Sequence, residues 1–268
     1  MPSTLAPSSR ALGWSRAALG AVYLARHSAL VSSLPGIHLP PQHLLAGWPE
    51  AGKWPLALFG ADLPFALVAA LCVVRTVAAL GFTLGVFPRA SGILCVAAGY
   101  LVMSQDPSSF LFTQHVMHLG VLALALSDGS STFALRPSPP WLGDKSAVFV
   151  RAFVASIYFW SAVPKLRGPW LDGHVLRAYY ALGYGRNALG RWLLDTHAAF
   201  SARAVVGLEL VVLPVLLLGP RTRLAGVFIA CMMHAVFEAT VRPDVFGWVM
   251  IALLVSMWPE DRVRLSSD

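Results

Sequence analysis

Leu63–Val86 reads LPFALVAALCVVRTVAALGFTLGV, twenty-four residues with one charged side chain, Arg75. A hydrocarbon core of ~30 Å is crossed by about 20 predominantly apolar residues in a helix. The stretch is therefore long enough and apolar enough to span a bilayer, and it sets the terms for the rest of the chain. Working outward, comparable runs occur at Ala11–Val31, Ala90–Ser104, Ser109–Leu126, Ala147–Val163, Ala202–Leu218, Leu224–Thr240 and Val245–Trp258. Together they predict an all-α integral membrane protein, a polytopic bundle of about eight transmembrane helices in one domain covering residues 1–268. The breaks between runs carry the right chemistry: Pro35, Pro40 and Pro41, then Pro88, Asp106-Pro107, Pro137–Pro140, Gly219-Pro220 and Pro243.

Composition agrees. The chain is 57% hydrophobic and 12% charged, with a mean hydropathy of +0.66. Soluble domains carry roughly 25% charged residues, so an ordinary water-soluble enzyme is excluded. The net charge of +7 comes from basic residues scattered between apolar runs, not gathered on a face, so nucleic acid is not an expected partner. Cys72, Cys95 and Cys231 all lie within apolar runs and form neither a disulfide framework nor a CxxC pair. Met1–Ser9 is polar without a basic start, so no cleavable leader is expected and Ala11–Val31 reads as a retained first span.

Two connections are long. Ser32–Asp62, with Trp48, Trp54 and several prolines, suits a loop packed at the interface. Lys165–Ser201 is expected to fold as short interfacial helices capping the outer side, with one helix over Trp170–Ala181 and another after Gly183–Arg191. With both termini cytoplasmic, the inner side receives Arg10, Arg89, Arg136, Lys145, Arg221, Arg223, Arg262 and Arg264, against Lys53 and Arg242 in short outer loops. The Lys165–Arg191 segment adds five basic residues to the outside, which this topology accommodates only if the segment serves function.

Ionic side chains inside spans cost about 2.5–3.5 kcal/mol each even on lenient insertion scales. Arg16, Arg75, Arg151, Glu209 and Glu238 stand out for that reason, with His115, His118 and His234. Arg16 and Arg151 are near helix starts and are expected to snorkel; Glu238 is expected to reach water; Arg75 and Glu209 are expected to pair. His115 and His118 share a helical face, and with His234 on another helix they have ligand chemistry for a metal or haem, but no acidic or sulfur ligand lies at companion spacing and no metal is expected. Arg151, Tyr158 and Lys165 are seven apart, ~20° short of two full turns, so one face carries a guanidinium, a phenol and an amine. Pro164 breaks the helix just before Lys165, which is expected to leave the amine in irregular structure beside an apolar pocket, where a desolvated lysine becomes a usable base. Snorkelling at the interface is the competing role for Lys165.

LGWSRAALG (Leu12–Gly20), FTQHVMHLG (Phe112–Gly120), RAFVASIYFWSAVPKLRGPWLDG (Arg151–Gly173) and HAVFEATVRPDVFGWVMIAL (His234–Leu253) together resemble the membrane domain of vitamin K-dependent gamma-carboxylases, the horizontally transferred transmembrane (HTTM) domain. The Lys-Leu…Trp segment is the specific part. The resemblance implies a carboxylase chemistry: a reduced vitamin K or menaquinone-type naphthoquinol is deprotonated by an enzyme base and reacts with O2, a proton leaves the γ-carbon of a glutamate, the carbon attacks CO2, and the quinone leaves as an epoxide. It implies Lys165 as the base and His115 as its helper, with Gln114 where the family has an asparagine, and Tyr158, His234, Arg151 and Trp170 around the quinone. Phe110, Phe112, Phe159, Trp160, Phe237 and Phe246 are available as apolar walls. Expected partners are lipid, quinone and a glutamate-containing peptide or small acceptor. The chain runs only ten residues past Trp258, so no extramembrane domain is expected to hold a protein substrate, and a separate protein would then present it. The expected location is a bacterial inner membrane with the active site toward the outer side. Two other readings stand beside this one: a quinone-linked membrane oxidoreductase that does not carboxylate, and a non-enzymatic membrane accessory protein.

Overall fold

The computed structural model describes residues 8–31, 63–104, 112–143, 145–241 and 245–258. The expected interfacial loop Ser32–Asp62, the start of the span at Ser109, and Lys53, Phe110, Arg242, Arg262 and Arg264 lie outside the described residues. The chain forms two compact units, Met1–Ser146 and Ala147–Asp268.

The first unit holds α1 (Ser8–Val31), α2 (Phe65–Leu84), α3 (Pro88–Met103) and α4 (Phe112–Leu126), and α5 (Lys145–Ala162) begins at its end. α2 packs on α3 and α1, and α4 on α3 and α1. The turn from α2 to α3 is decided by Gly85, whose φ of 72° is the left-handed cap that lets Val86 N–H reach back to Gly81 O at 2.7 Å. A side chain there would also collide with the backbone of Ala134. Pro88 then opens α3, where its missing N–H costs nothing.

Arg16 corrects the snorkelling expectation. It is 1% exposed and donates to Phe82 O and Thr83 O, both at 2.5 Å, carbonyls in the last turn of α2. The guanidinium thus serves as a helix cap supplied from another helix.

In the second unit α5 runs into a 3-10 turn, Val163–Leu166. There follow α6 (Gly168–Leu171), α7 (His174–Ala181), and α8 (Ala188–Arg191) with a π-helical extension, Trp192–Thr196. The expected single helix Trp170–Ala181 is in fact two, broken at Asp172-Gly173, where Gly173 takes φ 74°. α9 (Ala198–Gly207), a π-helical stretch Leu208–Val212 and α10 (Leu213–Leu218) form one continuous rod. α11 (Arg223–Thr240) and α12 (Phe246–Leu254) complete the unit, α11 packing on α10 and α12.

Among the described residues, four helices are long and apolar enough to cross a membrane: Phe65–Leu84, Lys145–Leu166, Ala198–Leu218 and Arg223–Thr240. Pro88–Met103, Phe112–Leu126 and Phe246–Met257 are apolar but shorter. α1 is long but carries Arg10, Arg16 and Arg26. The long helices bury only 33–44% of their apolar windows. Val73, Val77 and Leu80 of α2 and Val211 and Val215 of the Ala198–Leu218 rod face outward, as lipid-facing residues do and water-facing ones rarely do.

Candidate functional site

The second unit gathers polar side chains where its apolar helices would otherwise offer none. Lys165 sits on the 3-10 turn after α5, so Pro164 tightens the helix end and does not unravel it. Lys165 Nζ donates to Glu209 Oε2 at 2.5 Å and to Ser161 Oγ, one turn earlier, at 3.0 Å, and lies 5.4 Å from the centre of the Trp170 ring. The Lys165 side chain is 17% exposed and that of Glu209 3%. The amine expected in irregular structure beside an apolar pocket stands instead on a 3-10 turn, with a carboxylate partner. The expected Arg75–Glu209 pair is corrected too, since Glu209 is engaged by Lys165.

Local sequence accounts for the placement of Glu209. Pro214 lacks an N–H for Leu210 O and its ring crowds that carbonyl, so an α-helical ladder cannot run through this point. The backbone widens into the π-helical stretch Leu208–Val212, which contains Glu209. Widenings of this kind re-aim side chains and recur at functional sites.

Two α5 turns before Lys165, Tyr158 Oη lies 3.0 Å from His234 Nε2 on α11. Both residues are at most 2% exposed, and the rings of Phe237 and Phe246 stand beside the imidazole. His234 Nδ1 has no hydrogen-bond partner among the described residues. Lys165 is within electrostatic range of His234, and Glu209 of Tyr158, so the two pairs form one polar group. Arg151 shares the helical face but stands about 21 Å of helix rise from Lys165, outside that group.

An apolar cavity of about 360 Å³ opens between α9, α11 and the short helices. Phe200, Leu208, Phe228, Met233 and Phe237 are among its walls, and Ser201 supplies a buried hydroxyl without a partner among the described residues. Leu208 adjoins Glu209 and Met233 adjoins His234, so cavity and polar group are built on the same elements with different residues.

The other expected site residues belong to the first unit. His115 Nδ1 lies 3.3 Å from Tyr100 Oη. Gln114 is buried, with Oε1 unpartnered among the described residues. His118, on the same face as His115, is satisfied at both nitrogens, by Tyr23 Oη at 3.0 Å and Gln114 O at 2.7 Å. Among the walls named from sequence, Phe237 lines the cavity, whereas Phe112, Phe159 and Trp160 are exposed. Sequence reasoning missed Ser161 and the true partner of Glu209; the signal was a hydroxyl four residues before Lys165 and a lone carboxylate five before a proline.

A family model described as HTTM domain matches residues 45–261. No curated protein and no solved structure matches the chain.

Proposed function

The chain belongs to the HTTM domain family, and on that premise we propose that it is an integral-membrane enzyme of the vitamin K-dependent gamma-carboxylase type. The observation that carries this reading is the Lys165–Glu209 pair, an amine and a carboxylate held together at the end of an apolar helix and steadied by Ser161 and Trp170. A reduced naphthoquinone with O2 supplies, when bound, the oxygen base strong enough to take a proton from the γ-carbon of a glutamate, so that quinol, O2, CO2 and glutamate give epoxide, water and γ-carboxyglutamate.

The residues fit such a ligand. Small-molecule sites combine apolar walls with a few placed polar groups, and the cavity has apolar walls with one unsatisfied hydroxyl, Ser201. Lys165 is the base. To accept a phenolic proton its amine must be free, and Glu209 is the group within hydrogen-bond reach that can hold the displaced proton. Ser161 fixes the direction of Nζ. Tyr158 and His234 form a second hydrogen-bonded pair beside it, the unpartnered Nδ1 of His234 being available to a ligand oxygen. The resemblance also implies His115, oriented by Gln114, as donor to the developing oxyanion, and both belong to the first unit. The acceptor is a glutamate-containing peptide or a small glutamate-like acid. The membrane is a bacterial inner membrane, with both termini cytoplasmic and the site toward the outer side.

The test is turnover of the full chain in lipid with reduced menaquinone-type quinol, O2, ¹⁴C-labelled CO2 and a glutamyl peptide. Epoxide together with fixed label is the expected result. Quinone turnover without fixed label would replace carboxylation by another quinone-linked oxidation, and neither product would leave a binding or accessory role.

A further inference from the structure

The first unit contains a charge that the proposed reaction does not use. Arg75 lies midway along α2 and is 3% exposed. Its Nε and Nη2 have no hydrogen-bond partner among the described residues. Those two nitrogens share the lateral edge of the guanidinium, the edge whose parallel N–H groups match the two oxygens of a carboxylate. The ion pairs formed by described residues, Arg89–Asp128 and Lys165–Glu209, use other side chains.

Its surroundings are polar and incompletely satisfied. His27 is 4% exposed, and both of its ring nitrogens lack partners. Its ring lies 4.4 Å from that of Tyr23 and 6.0 Å from that of His118. Arg75 is within electrostatic range of Tyr23, His27, Cys95 and His118. Tyr23 and His118 are bonded to each other, and His118 also to Gln114 O, so among the described residues the donors left unused here are on Arg75 and His27, with Gln114 Oε1 an unpartnered acceptor in the same unit. Among the described residues no acidic side chain forms an ion pair with Arg75. A buried guanidinium whose lateral edge has no hydrogen-bond partner among the described residues is a costly arrangement for a fold to keep, and an incoming anion removes that cost.

We propose that Arg75 and His27 form a carboxylate-binding site, the carboxylate lying in a two-point fork on Nε and Nη2 of Arg75 with an imidazole N–H of His27 as a further donor. A fatty acid from the bilayer and a glutamyl side chain share this chemistry. The site does not depend on the proposed reaction, because no residue of the Lys165 group takes part in it.

The experiment uses the full chain in lipid nanodiscs and titrates two acids labelled with ¹³C at the carboxylate, octanoate and N-acetyl-glutamate methylamide. Octanamide and N-acetyl-glutamine methylamide are the neutral counterparts, and empty nanodiscs report partitioning. At least one acid is expected to bind saturably with a shifted carboxylate resonance while its amide does not. Arg75→Gln is expected to weaken that binding roughly tenfold or more, because a charge-assisted hydrogen bond is lost. Arg75→Lys, which keeps the charge but not the fork, should fall between. Octanoate alone assigns the site to a bilayer acid and the glutamyl probe alone to an acidic side chain; both uphold it. Equal binding of acid and amide, binding of neither acid, or an unchanged Kd in Arg75→Gln would overturn it. If Arg75→Gln does not fold, the acid-against-amide comparison on the unaltered chain and the Arg75→Lys variant still decide.

Discussion

Lys165 is where base and structural anchor can be told apart. Lys165→Ala removes the base and also leaves the buried Glu209 carboxylate without its partner, so it should abolish quinone turnover and cost about 3–5 kcal/mol of stability. Lys165→Arg keeps the ion pair and should preserve most of that stability, yet it should be almost as inactive, because a guanidinium stays charged at any accessible pH and takes no proton. Full activity with arginine would show that charge is all this position supplies. A stability cycle isolates the pair itself: Lys165→Met and Glu209→Gln should each be strongly destabilising, while the double variant should cost well under their sum, measured by denaturant unfolding in mild detergent. Strict additivity would mean that the two side chains do not couple. At the neighbouring pair, Tyr158→Phe strips His234 Nε2 of its partner and should cost about 1–3 kcal/mol with the fold intact. The amine and the phenol were legible in sequence because a spacing of seven puts them on one helical face. The carboxylate partner was not, because which basic residue meets Glu209 depends on a π-helical widening that a period of 3.6 does not contain.

Elements were legible in proportion to their apolar length. The expected spans Ala90–Ser104, Ala202–Leu218 and Leu224–Thr240 coincide with Pro88–Met103, Ala198–Leu218 and Arg223–Thr240 to within a few residues, because an uninterrupted apolar run has one low-energy backbone in lipid. The short helices after Lys165 were less legible. Trp170–Ala181 carries a helical pattern throughout, but Gly173 adopts a left-handed backbone that splits it. Arg16 was misplaced for a related reason: hydropathy registers its charge, not the carbonyls it finds in the last turn of α2. The α2–α3 turn gives this a measurable form. Arg16→Leu keeps much of the bulk and removes four hydrogen bonds to carbonyls of Phe82, Thr83, Thr132 and Phe133. It should destabilise by about 2–4 kcal/mol, and amide exchange should rise first at Val86, whose N–H closes the turn on Gly81 O, and at Phe87, whose N–H ties the turn to Arg136 O. Unchanged exchange there would mean that the turn holds without the arginine.

For the whole molecule the open question is orientation, and the end of the first unit bears on it. Arg89 pairs with Asp128 at 2.7 Å and stacks over Trp141, Arg136 lies over Phe87, and Val86 and Arg136 form a parallel bridge. The α2–α3 turn and the loop after α4 therefore meet at one end. That end also holds the early part of α1, since Leu12 packs against Gly129. Arg10, Arg89, Arg136 and Lys145 consequently belong to one side of the unit, the clustering that marks a cytoplasmic face. α5 is among the helices long enough to cross, so a residue just before it and one well after it should face opposite compartments. Leu135 is 69% exposed and Leu182 75%, which makes both suitable for labelling. In a chain whose Cys72, Cys95 and Cys231 have been replaced, Leu135→Cys should react with a membrane-impermeant maleimide only after the membrane is opened or inverted. Leu182→Cys should react in intact cells, placing the Lys165–Ser201 segment and its five basic residues outside, where they do not oppose the cytoplasmic cluster as topogenic charges if they serve the site. Labelling of both positions from one side would remove α5 as a span, and with it the argument that Lys165 stands at the outer end of a membrane helix.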